Sequence, residues 1–393
     1  MKHSQIEGKD SRTSALIVGF VVIAVEAFRM GWMLHLPAAQ IVQRVPDDAF
    51  YYLALSRHFA VLHRWTFDGT APASGFHLIW GYVLAFIFKL APTIGFKQIF
   101  AVGAAIQTCV MGLAAGLTVS ALERLIAPRA AWPVTIIFLS AISLMQGTLM
   151  MEGPFVLLAG ALLLYQLSRS SATEGSLALG VLLGCFGTLA RSDFGLFPFW
   201  IFLAVFLSRP RDAARRRLVG IAAAQLAGAV LGVLILFAHT HWISGHYTQS
   251  SAQMKLLWAT TDHSGFKEMF DLQQNLVSPL YNAVGPFTVN FLTRHVVGDR
   301  LRILLYLILL LGAARFFWRH RRERSGAFVA AVFGILCSYA FFYHFDGTVQ
   351  AWYIVSFELS VCVLATAAWN SLRERSQVWL QPLVIVICCM GVV

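Results

Sequence analysis

Apolar residues in this chain come in long unbroken blocks, parted by short polar breaks, from one end to the other. The blocks fall at 14–35, 76–95, 98–120, 131–148, 152–168, 177–190, 194–208, 219–238, 299–315, 326–343, 352–370 and 379–393. A helix needs about 20 apolar residues to cross a bilayer core, and lipid admits only spanning helices or closed barrels, because backbone groups find no water there. Runs of this length predict helices. Between two of them, residues 48–63 read as a short amphipathic helix, followed by the turn-like Trp65-Thr-Phe-Asp-Gly69.

Composition agrees with the pattern. Of 393 residues, 58% are hydrophobic and 12% charged, and the mean hydropathy is +0.69, far from the balance of a soluble globular protein. The expected fold is an all-α polytopic membrane protein forming one integral-membrane domain over 1–393. Its parts are a helical core over 1–238, an outer loop over 239–298 and C-terminal helices over 299–393. The apolar run is unbroken at Val393, which leaves the last helix open to truncation.

The net charge of +11 does not point to nucleic acid, because the arginines are bunched in short loops, where they act as topology signals. Five lie in Arg209–Arg217 and five in Arg315–Arg324, which assigns both loops to the cytoplasm and the 239–298 segment to the outer face. Lys2, Lys9 and Arg12 place the N-terminus inside. Glu26 and Arg29 interrupt the first apolar run, which favours a retained anchor over a cleaved signal peptide. The inside assignment of 209–217 requires one block before it not to cross. The choice falls on 131–148, which opens with Arg129, Trp132 and Pro133 and closes with Gln146-Gly147. Eleven crossings follow, with outer segments at 36–75 and 239–298. The six cysteines all sit in apolar segments without ligand or disulfide spacing.

Acidic residues are scarce, so Asp47 and Asp48, adjacent at the outer membrane edge, are the first candidates for chemistry. A carboxylate pair there can act as a general base with an orienting neighbour, hold a divalent cation such as Mg or Mn through Asp48, or serve as a helix start after Pro46. His239, His241, His246 and His263 lack the spacing of a zinc site. No nucleotide-binding glycine motif occurs in a strand-turn-helix setting.

The segments Asp47-Asp-Ala-Phe-Tyr-Tyr-Leu-Ala-Leu-Ser-Arg57, Trp65-Thr-Phe-Asp-Gly69 and Ser74-Gly-Phe-His-Leu-Ile-Trp80 together resemble the first outer loop of the GT-C integral-membrane glycosyltransferases. The likeness is nearest to bacterial mannosyl- and arabinofuranosyl-transferases, relatives of the protein O-mannosyltransferases and aminoarabinose-lipid A transferases. Met150-Met-Glu-Gly-Pro154, Leu189-Ala-Arg-Ser-Asp193, Gly245 to Lys255 with Ser250 and Ser251, and Gln350-Ala-Trp-Tyr353 resemble later motifs of that family. The departures are Met151 before Glu152, Ser192 in place of a proline, and no proline before Ser250. The resemblance implies a GT-C-type bundle of about eleven helices and a polyprenyl-phosphate-linked sugar donor. The acceptor hydroxyl would belong to a glycan, lipid or protein, and transfer would take place on the outer face of the inner membrane. It further implies Asp47 as first choice of base and Asp48 as second. Arg191, Lys255 and Arg294 would lie at the donor phosphate, with Arg57 behind them, and His77, Glu152, Asp193 and Tyr353 at the substrates. A transporter or lipid flippase is the rival from another class, with Glu26, Arg29, Glu123 and Arg191 lining its path. An O-antigen ligase is disfavoured by the few arginines of the 239–298 loop.

Overall fold

The structure, a computed structural model, describes residues 2–126, 128, 130–169, 174–208, 213–251, 299–344 and 355–373. Among them the chain is helical throughout. In chain order the helices are α1 (Lys2–His35), α2 (Ala38–Val42), α3 (Asp47–Leu62), α4 (Leu78–Leu90), α5 (Phe96–Leu125), α6 (Ala131–Phe138), α7 (Ala141–Gln146), α8 (Gly153–Arg169) and α9 (Glu174–Ala190). After a 3-10 turn over Ser192–Gly195 come α10 (Leu196–Leu207), α11 (Ala213–Ser244), α12 (Asp299–His320), α13 (Arg324–His344) and α14 (Val355–Arg373). One isolated pairing, Thr66 with Pro72, is the extent of extended structure among the described residues.

Three helices are long and apolar enough to cross a membrane unaided: Arg12–His35, Phe96–Leu125 and Arg215–Ser244. Shorter apolar helices run over Leu78–Leu90, Gly153–Arg169, Ser176–Ala190, Ser192–Leu207 and Arg324–Tyr339. Large apolar side chains such as Phe20, Phe28, Phe86 and Leu234 point outward, where lipid replaces water. The protein is an all-α polytopic membrane protein. The last apolar block, 379–393, lies outside the described residues.

Small residues let the helices approach. In α1 and α5, Gly19 faces Gly112 and Ala15 faces Gly116: a Cβ on Gly112 would stand 2.8 Å from the Gly19 carbonyl, and one on Gly116 2.8 Å from that of Ala15. With no hydrophobic drive between helices in lipid, such spacing supplies the dispersion contact that holds the pair.

The 131–148 block, set aside above as the one that does not cross, is two short helices. Pro133 sits in the first turn of α6, and a break at Leu139–Ser140 separates it from α7, where Ser140 Oγ accepts from the Ser143 amide at 3.4 Å. Eight and six residues span about 12 and 9 Å, against a hydrocarbon core of about 30 Å. One boundary differs from expectation: α11 continues to Ser244, so the second segment expected on the outer face begins at Gly245 rather than 239. Polar His239, Thr240 and His241 suggest a loop by composition. Helix geometry persists until Gly245, whose φ of 73° ends it.

Candidate active site

The 36–75 segment, the first of the two expected on the outer face, is built around α3. Pro46 opens it in extended geometry, and Asp47 and Asp48 occupy its first turn, exposed. Neither makes a side-chain capping bond from the N-cap position, which belongs to Pro46; Asp47 Oδ1 instead accepts from the Asp48 amide at 3.0 Å. Of the roles left open by the sequence, helix start is thus fulfilled through the first-turn charge rather than through a cap. The helix ends at His63 in left-handed conformation. Asp68 then ties the next turn, accepting from the amides of Thr70 (2.8 Å) and Ala71 (2.9 Å), bonds that hold its carboxyl well below the usual range.

One turn along α3 from Asp48 stands Tyr52, buried, and it gathers the site. Its hydroxyl donates to Glu152 Oε2 at 3.1 Å and accepts from the His77 amide at 3.1 Å. Burial, with the Glu152 charge beside it, pushes the Tyr52 phenol well above its ordinary range. Glu152 Oε1 lies 3.6 Å from His77 Nε2 and 3.9 Å from Arg191 Nη1, and Arg191 Nε stands 3.1 Å from Asp193 Oδ1. Glu152 is 1% exposed and Arg191 3%, so these charges act on one another with little solvent screening. Two carboxylates face one guanidinium, and His77 beside them is partly exposed.

The backbone that delivers Glu152 is unusual. Met150 takes φ 59°, a left-handed conformation uncommon for a side-chain-bearing residue. Buried bonds hold the turn: Trp80 Nε1 donates to the Met150 carbonyl and Gln107 Nε2 to that of Met151, each at 2.6 Å. Tyr339 of α13 donates to the Asp193 carbonyl at 3.3 Å, fixing the 3-10 turn from the other side.

The start of the second outer segment clips onto the first. Ser74 and Ser250 exchange amide-to-hydroxyl bonds of 3.4 Å in both directions, and Gln249 Nε2 donates to the Phe76 carbonyl at 3.2 Å. Gly75 lies so close to Ser251 that a Cβ there would sit 2.7 Å from that of Ser251. Tyr51 joins this clip through Ser250 and Gly75, with Asp48 within electrostatic reach; burial raises its phenol.

Beside the cluster opens an apolar groove of about 850 Å³. Leu78, Ile79, Tyr82, Phe86 and Leu90 of α4 line its length, with Leu189 of α9 and His239 of α11 opposite. Leu78 follows His77 and Leu189 precedes Arg191 by two residues, so chain neighbours of the cluster line the groove. Tyr82 and His239 bond across it at 2.9 Å.

Of the residues singled out from sequence, His77, Glu152, Arg191 and Asp193 come together, and Asp47 and Asp48 stand at the start of the helix that carries Tyr52. Lys255, Arg294, Tyr353 and His263 lie outside the described residues. Tyr52 itself was not singled out, although it sits in the quoted motif four residues after Asp48, the spacing that puts both on one helix face. Among the described residues no three His, Cys, Asp or Glu side chains are placed to hold a metal.

No family model matches the chain, and no curated protein matches it. A solved structure, the archaeal oligosaccharyltransferase AglB from Archaeoglobus fulgidus in complex with an inhibitory peptide and a dolichol-phosphate, is similar at a TM-score of 0.49 and 12% identity. The similarity covers 92% of this chain and 51% of that one. The chain therefore spans about half the length of AglB.

Proposed function

We propose that the protein is a GT-C-type glycosyltransferase that moves a sugar from a polyprenyl-phosphate carrier to an acceptor hydroxyl at the outer boundary of the inner membrane. The observation that carries this is a buried charged cluster of His77, Glu152, Arg191 and Asp193 together with an apolar groove lined by its chain neighbours Leu78 and Leu189. An amphiphile with a polar head and a long tail suits that combination. Twelve residues of rise along α4, from Leu78 to Leu90, give the groove a length of about 18 Å, enough for several isoprene units. The motif resemblance around Asp47–Trp80 supplies the reaction class.

In the transfer, the acceptor oxygen attacks the anomeric carbon, the bond from that carbon to the phosphate oxygen breaks, and the acceptor proton passes to a carboxylate. A single in-line displacement inverts the anomeric configuration. Asp47 and Asp48 are the proposed bases; the face shared with Tyr52 supports Asp48 over Asp47. Arg191 already answers two carboxylates, so its role here is to orient Glu152, and the charge facing the departing phosphate is assigned to Lys255 with Arg294. His77, Glu152, Asp193 and Tyr353 bind the substrates. No step is routed through a cation.

The test is transfer of radiolabelled sugar from a panel of polyprenyl-phosphate sugars by purified protein, beside Asp47→Asn and Asp48→Asn, with and without EDTA. Wild-type transfer, lost in Asp48→Asn by about 10²- to 10⁴-fold, is the expected result, and the EDTA arm reads whether Asp48 holds a cation. Absence of transfer from every donor would return the protein to the transporter class, for which the buried Glu26 and Glu358 are the favouring observation.

A further inference from the structure

The end of α8 away from the Glu152 cluster gathers arginines. The helix starts at Gly153, next to Glu152, and its 17 residues rise about 25 Å, most of a hydrocarbon core of about 30 Å. Arg169 closes α8 and Arg124 stands in the last turn of α5, and both are exposed. The two share one ring: the guanidinium carbon of Arg169 lies 4.8 Å from the centre of Tyr165, and that of Arg124 lies 5.7 Å from it. A third arginine, Arg324 in the first turn of α13, donates through Nη2 to the carbonyl of Leu167, midway between Tyr165 and Arg169 in the chain.

Part of this charge is answered within the fold. The ends of α5 and α8 carry about half a negative charge each, and the face of Tyr165 attracts cations. Three guanidiniums set against two helix ends still leave about two positive charges in excess. Among the described residues no carboxylate stands within ion-pair distance of Arg124, Arg169 or Arg324. The Nε of Arg324 is buried without a hydrogen-bond partner. Like charges so close at a membrane boundary call for an anion. Planar guanidinium forks suit phosphate, whose two free oxygens in a diester can each take one fork.

We propose that Arg124, Arg169 and Arg324 around Tyr165 form a binding site for the phosphate of an anionic phospholipid. A lipid is favoured over a soluble anion by position: the site lies one membrane-length helix away from the Glu152 cluster, where a headgroup layer would meet the protein, and anionic lipids concentrate at basic surfaces. Apolar surface is at hand for the acyl chains. Gln166 Nε2 holds the Ser176 carbonyl at 2.5 Å, which brings the start of α9 against the end of α8, and the next residue, Leu177, is exposed. Tyr165, ring inward and hydroxyl at the boundary, is the kind of side chain that lines such an edge. The site is separate from the proposed transfer chemistry and does not rest on it.

Native mass spectrometry of the whole chain in detergent tests the proposal, with phosphatidylglycerol and phosphatidylcholine of the same acyl chains as probes. The wild type should retain phosphatidylglycerol in preference to phosphatidylcholine. Arg124→Gln/Arg169→Gln should weaken phosphatidylglycerol binding about thirtyfold, at about fivefold per arginine. Arg324 is left in place because its bond to Leu167 joins α13 to α8. Arg216→Gln/Arg217→Gln removes the same charge from exposed positions at the start of α11 and should leave the affinity within about twofold, since neither touches Tyr165. Equal retention of the two lipids by the wild type would overturn the site without recourse to any variant. An equal loss in the α11 pair would replace it with the general charge of that end of the bundle. Displacement of phosphatidylglycerol by millimolar inorganic phosphate would overturn the lipid as occupant and make the ligand a soluble anion.

Discussion

Tyr52 shows how much one hydroxyl can organise. It is the donor to Glu152 and the acceptor from the His77 amide, so Tyr52→Phe leaves a buried carboxylate oxygen and a backbone N–H each short of a partner. The expected cost is about 1–3 kcal/mol, read as a fall in thermal stability in detergent. The same residue sets a pH dependence. Its folded-state pKa lies well above the ordinary tyrosine value of about 10, so the unfolded chain ionises first. Its contribution to stability is therefore full below about pH 10 and is lost as pH rises through the folded value. Thermal unfolding followed into the alkaline range should decline less steeply for Tyr52→Phe than for wild type; an equal slope would show that another group controls that limb. Glu152→Gln makes the complementary case, keeping the shape while removing the charge that Arg191 and His77 share. On the proposed function it abolishes transfer with Arg191 still held by Asp193, and loss of folded protein instead would show Glu152 to be chiefly structural.

At the scale of elements, close helix packing should decide which glycines tolerate a side chain. In Gly112→Leu the new side chain meets Ile23 and the Gly19 carbonyl, so α1 and α5 are forced apart at a cost of about 1–3 kcal/mol. Gly31, in the same α1, has nothing within 4 Å of a built Cβ, and Gly31→Ala should be neutral or stabilising by about 0.5–1 kcal/mol. Thermal unfolding of the two variants separates packing from helix propensity, and similar values for both would remove the small-residue account of the α1–α5 pair. The helices themselves were legible, because apolar blocks and arginine loops obey lipid physics directly. α3 was legible through its alternation of apolar and polar positions, whereas the break of 131–148 into α6 and α7 was not. What the sequence hid was distance. Nothing local says that Glu152, a hundred residues from Tyr52, shares its hydroxyl, or that Glu358 accepts from Ser143, since those contacts depend on how α3, α7, α8 and α14 pack. Nor does composition show that the polar start of the second outer segment belongs to α11.

For the molecule as a whole, function depends on which face of the bilayer each end of the bundle meets. The arginine loops near Arg217 and Arg324 argue for the cytoplasm, and α11 then carries the chain from Arg215 to Ser244 across the membrane. Its far end delivers Gln249 and Ser250 to the first outer segment. Since those contacts tie the two segments together, the Glu152 cluster, the Asp47–Asp48 turn and the head of the groove must share one side. A single pair of positions therefore orients the entire site. Thr70, exposed in the turn held by Asp68, and Arg216, exposed in the first turn of α11, are replaced one at a time by cysteine, and intact cells are treated with a membrane-impermeant maleimide. Thr70→Cys should label in intact cells above the wild-type background of native cysteines, and Arg216→Cys only after lysis. On the proposed function donor and acceptor meet on the side where the cluster opens, so the reverse pattern would move the proposed reaction to the cytoplasmic face, where soluble nucleotide sugars are also available and a lipid-linked donor is no longer required.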